Sequence, residues 1–197
     1  NPTDAGLEIT GQIASTSDGF EVTGGNYGIL VGSSASGSMD LENIDLDGQA
    51  LAGLYYGKDL TGSLSGSVVN SAGAAYKYGP NTDNDVAFNS VSILNNAIGI
   101  ETSGSGDITM TDVTMANTKD IVINSPTSVE FIEGTIDSTT VEVTSSGGKY
   151  TRMRQLDVTL TADNNNVVGA TVTLIDASGT SAGNGVTDAS GIAQDLT

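Results

Sequence analysis

The sequence predicts an all-β chain: a parallel β-helix (solenoid) with rungs of about 22 residues, followed by an antiparallel β-sandwich segment. Three observations carry that prediction. Between Asn81 and Val143 apolar residues recur at a near-constant interval. Val86 returns as Ile108 and Val129, Phe88 as Met110 and Phe131, Ile93 as Met115 and Ile136, and Ile100 as Ile121 and Val141. Each copy holds short alternating apolar pairs broken by Gly, Ser, Thr, Asn and Asp, which predicts three short strands per turn. After Tyr150 the alternation lengthens: Leu156, Val158 and Leu160, then Ala170, Val172 and Leu174. Strands of that length and spacing suit an antiparallel sandwich better than further rungs. The expected domains are therefore 1–150 and 151–197.

Taken in order, residues 1–31 hold three i,i+2 apolar pairs, Leu7/Ile9, Phe20/Val22 and Ile29/Val31, with the first suited to capping an open edge. From Ile29 a register emerges. Ile29 maps to Leu54, Met39 to Leu64 and Ile44 to Val69 at one offset, the extra residues falling in Ser33–Gly37. Leu54 then maps to Tyr76, Leu64 to Val86 and Val69 to Val91 at the shorter interval. Tyr56, Tyr76 and Tyr78 share a face with inward Leu54 and belong in the core. In the tail, Asp163–Asn166 is a turn, Gly179–Gly185 a small-residue loop, and Thr187–Gly191 a second turn.

Composition narrows function mainly by exclusion. The 197 residues include 24 acidic and 6 basic side chains, a formal net charge of −18, and no His, Cys or Trp. Such a field repels phosphate backbones, so no nucleic acid partner is expected. A chain without His or Cys builds neither a zinc set nor a Ser-His or Cys-His triad. No apolar run approaches the length of a membrane span, so no membrane insertion is expected in this segment. The opening Asn-Pro-Thr-Asp lacks a leader, as in a mature chain or an excised piece. Richness in Ser, Thr, Asn and Gly with few Lys suits a secreted or cell-surface protein.

The repeat at 81–143 resembles the right-handed parallel β-helix family, the fold of pectate lyases, polygalacturonases and many surface repeat proteins. The tail segments Gly-Ala-Thr-Val-Thr-Leu-Ile-Asp (169–176) and Val-Thr-Asp-Ala-Ser-Gly-Ile-Ala (186–193) resemble the carboxypeptidase-regulatory-like, transthyretin-type β-sandwich. That module carries further strands after its T-D-x-x-G turn, so the resemblance implies a partial sandwich and a native protein that continues.

The same resemblance focuses attention on Asn81-Thr82-Asp83. Polygalacturonase-type hydrolases carry an N-T-D segment, then an Asp pair and a G-H-G. Here the Asp pair is replaced by Asn95-Asn96-Ala97, and there is no His. Inverting hydrolysis needs an acid and a base carboxylate on opposite sides of the bond, and Asp83 alone matches. A lyase mechanism needs Ca²⁺ ligands and a nearby Arg or Lys base. Asp83, Asp85 and Asp107 could form a small acidic flank for structural calcium, hard oxygens suiting that ion, but no matching base stands near. Tyr55 is expected to face outward beside Lys77, a possible sugar-stacking platform. Lys149, Arg152 and Arg154 cluster where the domains join, as interdomain ion pairs would. The expectation is a non-catalytic extracellular structural, adhesive or assembly element of a larger surface or secreted protein. No cofactor is needed beyond possible structural calcium, and the partners are neighbouring subunits or domains of an extracellular assembly. The alternative is a polysaccharide-binding or lyase-like polysaccharide-modifying module.

The register makes a test. Phe131→Ala should cost about 3–5 kcal/mol by opening a cavity in a stacked column. Thr109→Ala, on the outward side, should leave the denaturant midpoint nearly unchanged; equal losses from the two would refute the assigned faces.

Overall fold

The computed structural model describes residues 4–196 except 59, 81, 84, 85 and 155. It divides into two compact units, Asn1–Arg152 and Met153–Thr197. The first is a parallel β-solenoid of about six turns with rungs of about 22 residues. Among the described residues there is no α-helix, only a 3-10 turn at Ser138–Thr140.

Two sheets form the walls of the solenoid. One stacks β1 (Ala5–Ile9), β4 (Tyr27–Val31), β6 (Ala52–Tyr56), β8 (Ala74–Tyr78), β10 (Ile98–Thr102), β13 (Lys119–Ile123) and β15 (Val141–Val143), in that order. The other stacks β2 (Gln12–Asp18), β5 (Ser36–Asp47), β7 (Ser63–Val69), β9 (Val86–Leu94), β11 (Gly106–Thr111), β14 (Thr127–Ile132) and β16 (Lys149–Met153). The short β3 (Glu21–Thr23) and β12 (Thr114–Ala116) pair with β5 and β9, so the second and third apolar pairs of each turn share one sheet. A corner separates them. Asn43, Ser90, Asp112 and Glu133 hold φ between 51° and 61° there, with Gly19 at 73° and Gly66 at 118°. Each non-glycine residue in that left-handed region costs roughly 1–2 kcal/mol, which the stacked backbone bonds on either side must offset.

Within 81–143 the columns stand as the repeat indicates. Val86, Ile108 and Val129 are paired in register, as are Phe88, Met110 and Phe131, and Ile100, Ile121 and Val141. Phe88, Met110 and Phe131 are completely buried. Upstream the register differs on one wall. Ile29, Leu54 and Tyr76 align, but Leu64 pairs with Leu41 and Phe88 rather than with Met39 and Val86. Val69 likewise pairs with Asp47 and Leu94, and Ile44 with Gly66. The cause is a register shift in the β5–β7 and β7–β9 pairings, so one offset does not serve both halves of a bent strand. The first turn is a regular rung, with Leu7 on Ile29 and Ile9 on Val31.

The interior is shaped by a row of small residues. Gly6, Gly28, Gly53, Ala75 and Gly99 follow one another along the first sheet, each one residue before an inward-facing apolar side chain. A Cβ on Gly28 would lie 3.0 Å from Leu46 Cδ2, one on Gly53 2.3 Å from Val68 Cγ1, and one on Gly99 2.6 Å from Met115 Cε. The facing wall presents Val22, Leu46, Val68, Ile93 and Met115 as a stacked apolar column. The two walls interlock because one side has given up its side chains. Beside this row the core aromatic residues pack on one another. Tyr56 and Tyr78 stack at 5.0 Å with planes 4° apart, and Tyr76 meets Phe88 edge-on at 4.8 Å. Burial pushes the ionisation of all three tyrosines upward.

The second unit is a set of antiparallel pairs. β17 (Leu156–Thr159) pairs with β22 (Ile192–Leu196), β18 (Thr161–Ala162) with β19 (Asn165–Asn166), and β20 (Thr171–Ile175) with β21 (Ser181–Val186). The β18–β19 turn places Asp163 and Asn164 at φ 50° and 61°, the demand of a two-residue hairpin that Asp and Asn tolerate. Residues 181–186 form β21, not the small-residue loop expected for 179–185. The hairpin partner β20 supplies the ladder that Ser, Ala and Gly would not favour alone. Two identical Asp-Ala-Ser-Gly turns, at 176–179 and 188–191, share one design. The Asp Oδ1 accepts from backbone N–H groups two and four residues on, and the Gly takes φ 85° or 75°. Bonding from the Ser178 hydroxyl, then from backbone amides, holds the Asp176 carboxyl below its usual range.

Gly53→Ala is expected to destabilise by about 1–3 kcal/mol through overpacking against Val68 and the Ala75 carbonyl. Gly11→Ala, where an added Cβ meets nothing within 4 Å, should shift stability by less than about 0.5 kcal/mol. Urea midpoints of the two variants decide it.

Candidate functional site

The outer face of the seven-stranded sheet carries the residues singled out for ligand contact. Strand alternation turns Leu30, Tyr55, Lys77 and Glu101 outward, and parallel pairing sets them side by side. All four are half-buried. Tyr55 leans on Tyr27, ring centroids 5.8 Å apart and planes at 55°. It also lies over two glycines of successive turns: a Cβ on Gly79 would be 2.8 Å from Tyr55 Oη, and one on Gly57 3.4 Å from its ring. The Lys77 ammonium sits 2.9 Å from Glu101 Oε2. An ion pair this exposed is worth roughly 0–1 kcal/mol and holds the lysine in place more than it stabilises the fold. The patch is thus two tilted tyrosines beside a paired cation and anion. It offers aromatic ring faces with polar groups at their margin, the chemistry that stacks on a sugar ring and hydrogen-bonds its hydroxyls.

Thr82 and Asp83 of the Asn-Thr-Asp segment sit at a turn and brace it. Thr82 is buried and its Oγ1 donates to the Gly79 carbonyl at 2.7 Å. Its own carbonyl accepts from Ser105 N–H in the next turn, and an added Cβ on Gly104 would lie 2.2 Å from Thr82 Oγ1. Asp83 is exposed and accepts from Ser105 Oγ at 3.2 Å. Asp107 is exposed on β11, opposite Ser128. Asp85 and Asn81 lie outside the described residues. Among the described residues no three His, Cys, Asp or Glu side chains group as a metal set.

Of Asn95 and Asn96, standing where hydrolases of the resembled type have an Asp pair, the first is an exposed turn residue and the second serves the interior. Asn95 takes φ 59° at the turn, and Asn96 is buried. Asn96 Nδ2 donates to the carbonyls of Val68 and Leu94 and to Asn117 Oδ1, at 3.0, 3.1 and 2.9 Å. Its Oδ1 accepts from Ser71 N–H at 2.8 Å. Asn117 repeats the arrangement one turn on, donating to Ile93 O and to Asp120 Oδ1, and Asp120 Oδ2 accepts from Thr140 Oγ1 at 2.7 Å. Gln49 fills the equivalent place earlier, donating to three carbonyls. Side-chain amides at three of these bends, Gln49, Asn96 and Asn117, therefore bond groups of their own turn and of the turn before. Sequence reasoning missed this ladder because Asn, Ser and Gln read as turn residues wherever they stand.

No protein-family model, curated protein or solved structure matches this chain.

Asn96→Ala removes the amide that serves the Val68 and Leu94 carbonyls and the Ser71 N–H, and should cost about 1–3 kcal/mol. Thermal unfolding followed by circular dichroism measures it, and a loss within error of zero would show that the ladder is dispensable.

Proposed function

We propose that this chain is a non-catalytic structural element, a stiff extracellular spacer or assembly module of a larger secreted or surface protein. The observation that carries the reading is the unbroken core: Ile29, Leu54, Tyr76, Ile100 and Ile121 are stacked in register and completely buried through five successive strands. About six turns at ~4.8 Å each give a stack of ~29 Å in which every turn braces its neighbours. The net charge of −18 supports a heavily hydrated surface suited to life outside the cell. The second unit, with its paired Asp-Ala-Ser-Gly turns, fits the reading as part of a transthyretin-type module.

A second reading has one observation of its own. The Tyr27–Tyr55 pair beside Lys77 and Glu101 has the make-up of a carbohydrate-binding platform, which would make the spacer adhesive. A glycan array with lyase and hydrolase assays separates the readings. The spacer reading expects no turnover of any polysaccharide, and sustained turnover would overturn it. Under the adhesive reading, glycan binding appears and Tyr55→Ala reduces it about tenfold or more, as losing a stacking ring does, while the circular dichroism is unchanged.

A further inference from the structure

What rests on Tyr55 is limited by the charges beside it. The seven strands of this sheet carry two cations, Lys77 on β8 and Lys119 on β13. A glutamate of the following turn holds each, Glu101 for Lys77 and Glu142 for Lys119. The pair nearer to Tyr55 is not sealed: the side chains of Lys77 and Glu101 are 38% and 19% exposed. An ammonium offers several donors and a carboxylate several acceptor positions, so one mutual contact leaves both able to bond further. A ligand with neighbouring hydroxyls satisfies the two together, accepting from the Lys77 ammonium and donating to the Glu101 carboxylate. An anionic ligand does not. It competes with Glu101 for the same ammonium, meets that carboxylate's charge at close range, and approaches a chain of net charge −18.

We propose that the Tyr55 platform takes an uncharged glycan, and that Glu101 makes this choice by occupying Lys77 and repelling anionic sugars. The proposal rests on the adhesive reading and adds to it the class of ligand. Tyr55, seated over Gly57 and Gly79 and leaning on Tyr27, presents a ring whose position is set before any ligand arrives. Stacking on that ring uses the C–H face that pyranose sugars share whatever their charge, so it supplies affinity without discrimination. The ion pair, which begins one strand further on, supplies the discrimination. Without the Glu101 charge the same place becomes a bare cation at the margin of an aromatic ring, which suits a uronate.

Calorimetric titration of the full chain with uncharged hexose oligosaccharides, and with uronate oligosaccharides of equal length, tests it at low and at high ionic strength. The chain should bind at least one uncharged oligosaccharide with an affinity that salt changes less than about twofold, and uronates at least about tenfold more weakly. Glu101→Gln should close that gap about tenfold or more by a gain in uronate affinity, and added salt should erase the gain. Lys77→Met in the Glu101→Gln background should abolish it too, which places the uronate on Lys77 rather than on Lys58, exposed in the turn after β6. Circular dichroism confirms that the variants are folded, and an ion pair with a purely structural role would alter both ligands alike. A uronate preference in the unaltered chain, or an unchanged preference in Glu101→Gln, would overturn the choice made by Glu101 and leave the adhesive reading standing. Binding of neither class would overturn both, and the spacer reading would remain.

Discussion

The solenoid depends on how closely its two walls approach along the line of Gly28, Gly53, Ala75 and Gly99. With ordinary side chains there, the apolar column Leu46, Val68, Ile93 and Met115 would be pushed outward and the section of each turn would widen. The small residues also fix where the bulky ones go. Tyr56 and Tyr78 are stacked, and Tyr76 stands edge-on to Phe88. That arrangement has a cost. The hydroxyls of Tyr76 and Tyr78 are buried and make no hydrogen bond among the described residues. The rings supply enough apolar contact to offset what the hydroxyls lose on leaving water.

Polar groups hold the bends as apolar ones hold the walls. The Gln49–Asn96–Asn117–Asp120 series ties turn to turn on one side, and on another Ser125 Oγ donates to Thr102 Oγ1 while Thr127 Oγ1 donates to the Gly104 carbonyl. The ladder is uneven. At Ser71 the side chain is too short to copy the asparagine, and both Ser71 Oγ and the neighbouring Gln49 Oε1 are buried without a partner among the described residues. The Asn-Thr-Asp segment belongs to this bracing system through Thr82 and Asp83. Residues that look like chemistry on this fold can be spent on closing a turn.

How much of this was legible in the sequence follows from what each residue type signals. Phe88, Met110 and Phe131 announce a column because a stacked core needs large apolar residues at a fixed interval and a solvated turn does not. Gly53 and Gly99 stay silent, since glycine suggests a turn before it suggests a close approach. The Leu64–Phe88 pairing was hidden because the bent strand shifts register at its corner, which a single offset averages away. The candidate patch divides in the same manner. Tyr55 and Lys77 are one regular interval apart, and pairing them needs only the repeat. Lys77 and Glu101 are separated by a longer turn that contains the Asn-Thr-Asp segment, and only the coordinates bring their charges to 2.9 Å.

The strands of this solenoid run across its axis, so the hydrogen bonds between turns lie along it. Tension applied through the two ends therefore loads one row of bonds at a time, at whichever terminal turn is held least. Such a stack resists bending and compression well, yet under pull it sheds turns in series, like a strip being peeled, instead of failing all at once. A solenoid built this way would lengthen under load by whole turns.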